Sequence, residues 1–271
     1  MRKFFDYFKI RISILWINAV NTYQEDVAYF MNTWGNLFST VFWTFALLIF
    51  IEVLYSNINM FAGYGRNEML FLILMCQLGF YIQWLWSRQN LISMYEGVRG
   101  GSLDFVLTKP LPANWYVSFK EIRIIGLIRD GLPCIFILSL IIKWKDLSVN
   151  CRSIFFGIVI FILGQIIWHC FEFLFILPVF WYGESKQISG IAQSLINTTD
   201  IPFEGFEKPL KWIFSTLIPT VLVGQLAVSV ILNKSDGVKM FLLVLVVTAV
   251  FLALKMFFWN LALKNYTSAS S

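Results

Sequence analysis

The chain has 271 residues, 58% of them hydrophobic and only 14% charged, with a mean hydropathy of +0.72 and a net charge of +5 from 21 Lys and Arg against 16 Asp and Glu. A soluble globular domain carries roughly 25% charged residues, so this composition excludes a water-soluble enzyme or binding module and indicates a polytopic, all-α membrane protein. The positive excess fits contact with anionic lipid headgroups and gives no reason to invoke nucleic acid.

A bilayer core about 30 Å thick is crossed by about 20 apolar residues at about 1.5 Å each. Every backbone polar group in lipid needs an internal partner, so such runs are helices; the runs are apolar on both parities, which excludes a barrel. The first element, residues 1–31, is different. Phe4, Phe8, Ile12, Leu15 and Ala19 recur at helical spacing with Arg2, Asp6, Lys9 and Ser13 on the other side, the pattern of a helix lying in the interface or packing its first turns on a bundle. Asp6, Lys9 and Arg11 interrupt what would be the apolar part of a secretory signal. Spans follow at Thr33–Tyr55 and Met69–Trp86. With the basic N-terminus inside, Arg88, Arg99, Lys109, Lys120, Arg123, Lys186 and Lys264 also face the cytoplasm, whereas Lys143, Lys145 and Arg152 oppose the trend.

Residues 87–121 break the apolar pattern. Leu91, Met94, Tyr95 and Val98 form one stripe of a short amphipathic helix, with Glu96 and Arg99 off it. Gly100 and Gly101 end that helix, because glycine adopts the left-handed cap conformation without a Cβ clash. Ser102 is placed to cap a second short helix, with Asp104 near its positive end and Leu103, Val106 and Leu107 on one face. Pro110 pushes Lys109 out of helical geometry and, with Pro112, fixes the exit. Leu103, Phe105, Val106 and Leu107 thus make an apolar ridge flanked by charge. A mere connector would be far shorter; this is a stiff, solvent-facing double elbow.

The third and fourth spans are read at Ile124–Ile142 and Ser153–Trp181. Arg129 and Asp130, near one end of the third, are expected to snorkel to the interface. Gln165, His169 and Glu172 follow i, i+4, i+7 and share one stripe of the fourth. Such a stripe faces a translocation pathway, a subunit interface or a polar contact inside the bundle; two plausible ligands are too few for a metal site. Cys76, Cys134 and Cys170 lie in apolar runs and Cys151 near a span end, so they read as small filler without disulfide or metal spacing. No internal repeat and no Gly-rich phosphate loop is present. Hydropathy alone places a further span at Leu210–Leu232, before the last at Val238–Ala262. Counting inward at about 1.5 Å per residue sets Glu172 and Lys255 at similar depth, which predicts a pair or a shared water-filled cavity.

The stretch "GGSLDFVLTKPLP", 100–112, carries the pattern G-x-L-D-x-x-L-x-[RK]-P and resembles the segment after the second span of type-2 ABC transporter permeases. Similarity continues at "DIPFEGFEKPLKWIFSTLIP", Asp200–Pro219, and at the tail "LALKNYTSASS", so it covers essentially the whole chain. One departure stands out: the proline that the family often has a few residues beyond the position of Pro219 is replaced here by Gln225 or its neighbours.

The resemblance implies a six-span subunit of an ABC exporter in the plasma membrane, with both termini cytoplasmic. It implies pairing with a second permease, identical or homologous, and with two cytoplasmic ATPases that bind the ATP and Mg; this chain would hold no cofactor. Glu96, Arg99, Gly100, Gly101, Leu103, Asp104, Phe105, Leu107, Lys109 and Pro110 would form the coupling element on the ATPase. The fifth span would run from Lys186 to Ile201, with a re-entrant helix pair in 202–236 turning at Pro219. No hydrophilic stretch approaches the roughly 100 residues of a nucleotide-binding domain, so the ATPase is a separate chain and this one is not an enzyme. Gln165, His169, Glu172, Lys255, Arg129 and Asp130 are the candidate translocation or interface residues. The alternative is an ATPase-independent membrane protein: a secondary transporter, which would show repeats, or an intramembrane enzyme, for which His169 beside Glu172 is slender support.

Overall fold

The computed structural model describes residues 2–28, 30–183, 190 and 221–266, with the backbone alone at 2–10, 26, 28, 30–34 and 221–223. The fold is all-α, 83% helical, with no strand among the described residues. The expected fifth span, most of the re-entrant region and the tail beyond 266 lie outside the described residues.

Helices α1 (Arg2–Ala28) and α2 (Phe30–Asn57) follow one another almost directly. On α1, Ala19 and Thr22 are buried while Ile12, Trp16, Ile17, Val20 and Tyr23 are exposed, so of the apolar stripe read from the sequence Ala19 alone turns inward among the described side chains. An apolar surface of this breadth is suited to lipid. After α2 the chain reverses through a two-residue hairpin in which Phe61 and Tyr64 exchange backbone hydrogen bonds; Ala62 and Gly63 both have positive φ, as this turn type requires.

Helix α3 (Arg66–Trp86) is the most enclosed of the long helices, with Leu70, Leu72 and Ile73 fully buried. The elbow predicted at 87–121 then appears as α4 (Arg88–Arg99), α5 (Leu103–Leu107) and α6 (Ala113–Phe119). The third span is helical from Ile124 to Ile141, as read, but it is not uniform. Residues 120–123 are not helical, α7 (Ile124–Gly126) opens into a π turn at Leu127–Gly131, and only then does α8 (Leu132–Ile141) proceed. Pro133 supplies the cause: it has no N–H for the Arg129 carbonyl four residues back, and the turn widens.

Helix α9 (Cys151–Ile176) begins at an Asn150 cap, whose Oδ1 accepts the Ser153 N–H at 2.7 Å. It breaks at Pro178, resumes as α10 (Val179–Tyr182), and stops at Gly183 with φ +65°. Helices α11 (Val221–Ile231) and α12 (Gly237–Asn265) complete the described chain. Asp236 caps α12 by accepting the N–H groups of Lys239 and Val238, and these bonds hold its carboxyl below the usual range.

Among the described residues five segments are long and apolar enough to cross a membrane: Gly35–Asn57, Arg66–Trp86, Ala113–Ile141, Cys151–Tyr182 and Gly237–Asn265. Lipid gives no hydrophobic drive for helices to associate, so close backbone approach and dispersion hold them together. Two glycines show this. A Cβ on Gly157 of α9 would stand 2.2 Å from Cγ1 of Ile231, and one on Gly224 of α11 would stand 2.6 Å from the Cys76 sulfur of α3. Side chains pointing away from these seams, such as Phe42, Phe155 and Phe257, are exposed. None of the four cysteines is in a disulfide; Cys151 is exposed and the others are buried.

The interior divides in two. A larger core joins α3, α8, α9 and α11. A second one sits at the end of the bundle that carries the elbow, where Leu91, Met94 and Val98 of α4 and Leu103 of α5 meet Phe173, Phe180 and Trp259.

Candidate functional site

The elbow is built from the second core outward. The stripe Leu91, Met94 and Val98 is buried, with Tyr95 packed at its edge, while Glu96 and Arg99 are exposed, as the helical period requires. Arg99 lies over the Tyr95 ring, 5.6 Å from its centroid. Gly100 closes α4 by donating to the Glu96 carbonyl at 2.8 Å, but its own φ of −90° is open to any residue. The left-handed position is Gly101, φ +73°, so Gly101 alone makes the turn that requires glycine.

Ser102 does not cap α5. Its backbone is already helical, at φ −72° and ψ −8°, and its side chain lies against Gly97, where a Cβ would approach the Ser102 Oγ to 3.3 Å. Asp104 does fall in the first turn of α5. It also meets the far end of the chain: burial, and after it the Asp104 carboxylate alongside, push the Tyr266 hydroxyl pKa up.

The predicted apolar ridge splits. Leu103 is buried in the second core and Val106 packs against it, so both anchor α5. Phe105, 73% exposed, and Leu107 point outward. Lys109 donates to the Tyr116 hydroxyl at 2.5 Å and sits 4.1 Å from that ring centroid; Pro110 follows, exposed.

The return of the loop is fastened to its start. Asn90, 1% exposed, accepts the Glu121 N–H through Oδ1 and donates to the Glu121 carbonyl through Nδ2, both at 2.8 Å. Ser93 donates to the Glu121 carboxylate at 2.7 Å, and the Arg123 N–H reaches the Leu85 carbonyl at 2.8 Å. None of these residues stood out in the sequence; a polar residue one turn into an amphipathic helix, on its buried side, was the available signal.

Beneath the elbow, the polar stripe of α9 finds partners on α3 and α4. Gln83 Nε2 donates to Gln165 Oε1 at 2.9 Å and to its carbonyl at 2.7 Å. Ser87 Oγ is 2.7 Å from His169 Nδ1, and Arg88 donates to Glu172 at 3.1 Å. The three rungs rise in order along both helices. Trp168 adds a 3.2 Å bond to the same Glu172 oxygen.

Lys255 is not the partner of Glu172. Its Nζ lies 2.8 Å from His169 Nε2 and 3.0 Å from Ser118 Oγ, and 4.4 Å from the Phe173 ring centroid. The depth inferred from counting placed both charges at one level but carried no information on rotation about the helix axes. A protonated Lys255 only donates, so His169 Nε2 accepts from it and Nδ1 carries the hydrogen towards Ser87. Arg129 and Asp130, expected to snorkel, instead form a bidentate ion pair with each other at 2.6 Å in the π turn, both half-buried.

Ser87, Ser118 and His169 have the atoms of a hydrolytic site, yet all three are buried, at 0%, 1% and 3% exposed. The arrangement is a fastening between helices. No group of three His, Cys, Asp or Glu among the described residues is placed to hold a metal ion.

Residues 41–270 match the family described as ABC-2 family transporter protein. The chain belongs to the ABC-2 transporter family. No curated protein and no solved structure matches it. This ABC-2 permease is accordingly a multi-pass integral membrane protein of a transport system.

Proposed function

We propose that this ABC-2 permease is the membrane-spanning half of an ATP-driven exporter, working with a second permease and with two cytoplasmic ATPases that supply the ATP and Mg site. The observation that carries the reading is the division of labour in α5, where Leu103 is buried and Phe105 is 73% exposed. A fixed root with an exposed aromatic tip suits a lever seated in a groove of a moving partner, with Glu96, Arg99, Asp104 and Lys109 setting register by charge. Gly101 holds the angle between α4 and α5. On this reading the elbow faces the cytoplasm of a plasma-membrane protein, both termini lie on that side, and residues 184–236 supply a fifth span and a re-entrant pair, bringing the count to six.

The test is photo-crosslinking from p-benzoylphenylalanine placed at position 105 in cells that express the permease with its ATPase. The adduct runs to the ATPase from position 105 and not from position 42, an exposed site on α2. Adducts to lipid alone from both positions contradict the reading.

A further inference from the structure

Between α1 and the exit of the elbow lies a trough of about 530 Å³, within the roughly 300–1,000 Å³ of small-molecule sites. Its walls are Ile14 and Ile17 of α1 and Pro110 and Leu111 of the elbow; its polar groups are Asn18, Lys109 and Tyr116. No carboxylate lines it among the described residues. The Asn18 Nδ2 is buried without a hydrogen-bond partner, a condition that costs free energy until an acceptor arrives. Arg11, 5.2 Å from the Trp115 ring centroid, shares the α1 stripe with the lining residues Ile14 and Asn18, at i, i+3 and i+7, so a second cation stands one helical turn from the trough. The surrounding surface of α1 exposes Ile12, Trp16 and Val20, so the trough adjoins a face made for lipid.

We propose that the trough holds one anionic phospholipid. An acyl chain lies along Ile14, Ile17, Pro110 and Leu111, and the phosphate accepts from Asn18 Nδ2 and Lys109 Nζ with Arg11 at its edge. The lipid bridges α1 to the residues that fix the exit of the elbow, so the elbow's position depends on anionic lipid. The site requires a membrane-embedded chain and shares Lys109 with the proposed ATPase contact, so lipid retention is read on the permease alone, without the ATPase.

The full chain is reconstituted in nanodiscs of equal dioleoylphosphatidylglycerol and dioleoylphosphatidylcholine, and the lipids it retains on release are counted by native mass spectrometry. One phosphatidylglycerol is retained per chain, with about a tenfold preference over phosphatidylcholine, which offers the same phosphate but also brings a trimethylammonium cation that Lys109 repels and no carboxylate of the trough balances. Lys109→Gln and Arg11→Gln bring the preference close to parity. Ile14→Trp and Leu111→Trp, which fill the trough from opposite walls, abolish retention of both lipids. Equal retention of the two lipids by the unaltered chain overturns the proposal, as does retention that survives both tryptophans. Photo-crosslinks from position 14 that run to protein, with no lipid retained, overturn it in favour of a peptide occupant.

Discussion

Asn90 grips Glu121 through both atoms of its carboxamide, at 2.8 Å each way, and so ties the first turn of α4 to the residue at which the elbow re-enters the bundle. Asn90→Ala removes both bonds and leaves a backbone N–H and C=O without their partners. The cost is about 1–3 kcal/mol. The expected outcome is a lowered Tm together with faster limited proteolysis within 87–121; Asn90→Asp, which keeps the acceptor alone, falls between. Unchanged protease resistance in Asn90→Ala refutes the clamp.

Arg88 and Glu172 are a largely buried ion pair, with side chains 19% and 3% exposed. Removing one member strands the other, at a cost of about 3–5 kcal/mol, whereas replacing both by apolar groups of similar size is close to neutral. Glu172→Leu and Arg88→Met therefore each destabilise strongly, and the double variant recovers most of the loss. Thermal melting in detergent measures it; a double variant as unstable as the sum of the singles contradicts the pairing.

Lys255 answers to His169, not to Glu172. A double-mutant cycle of Lys255→Met with His169→Gln gives a coupling of about 0.5–3 kcal/mol, and the cycle of Lys255→Met with Glu172→Gln is additive within about 0.5 kcal/mol. The reverse pattern restores the pair expected from depth alone.

Periodicity made the elbow legible. The stripe Leu91, Met94 and Val98 had one physical use, and the glycine pair announced a reversal, though only the backbone shows that Gly101 carries it. The all-α fold followed from apolar runs that lipid permits in one form. The partners of Gln165, His169 and Glu172 were out of reach, because they stand 82 to 84 residues earlier and are chosen by how two helices rotate against each other. Gln83, Ser87 and Arg88 do sit in a row at the end of an apolar run, a signal that gains meaning only beside its complement. The π turn in the third span was hidden for a local reason: hydropathy does not register that Pro133 withholds an N–H.

Two glycines set the spacing of the bundle. Gly157→Ala drives a Cβ into Ile231 and to 3.1 Å from the Ala227 carbonyl, and Gly224→Ala meets the sulfur and Cα of Cys76. Each costs about 1–3 kcal/mol by overpacking. Gly126→Ala, where a Cβ meets nothing within 4 Å, leaves Tm unchanged. Equal melting of all three variants contradicts the close seams.

An elbow that transmits work between this permease and an ATPase is tested most directly by ATP hydrolysis in the reconstituted complex carrying Gly101→Val or Asp104→Lys. Gly101→Val forces a branched side chain into φ +73° and re-aims α5, while Asp104→Lys reverses charge in the first turn of α5 beside Tyr266. Gly100→Ala, at φ −90°, is the control. All three variants are expected to reach the membrane; Gly100→Ala supports near-normal hydrolysis, and the other two lose ATPase co-purification or fall at least about tenfold in permease-dependent turnover. Full ATPase binding and full turnover in Gly101→Val and Asp104→Lys would contradict it.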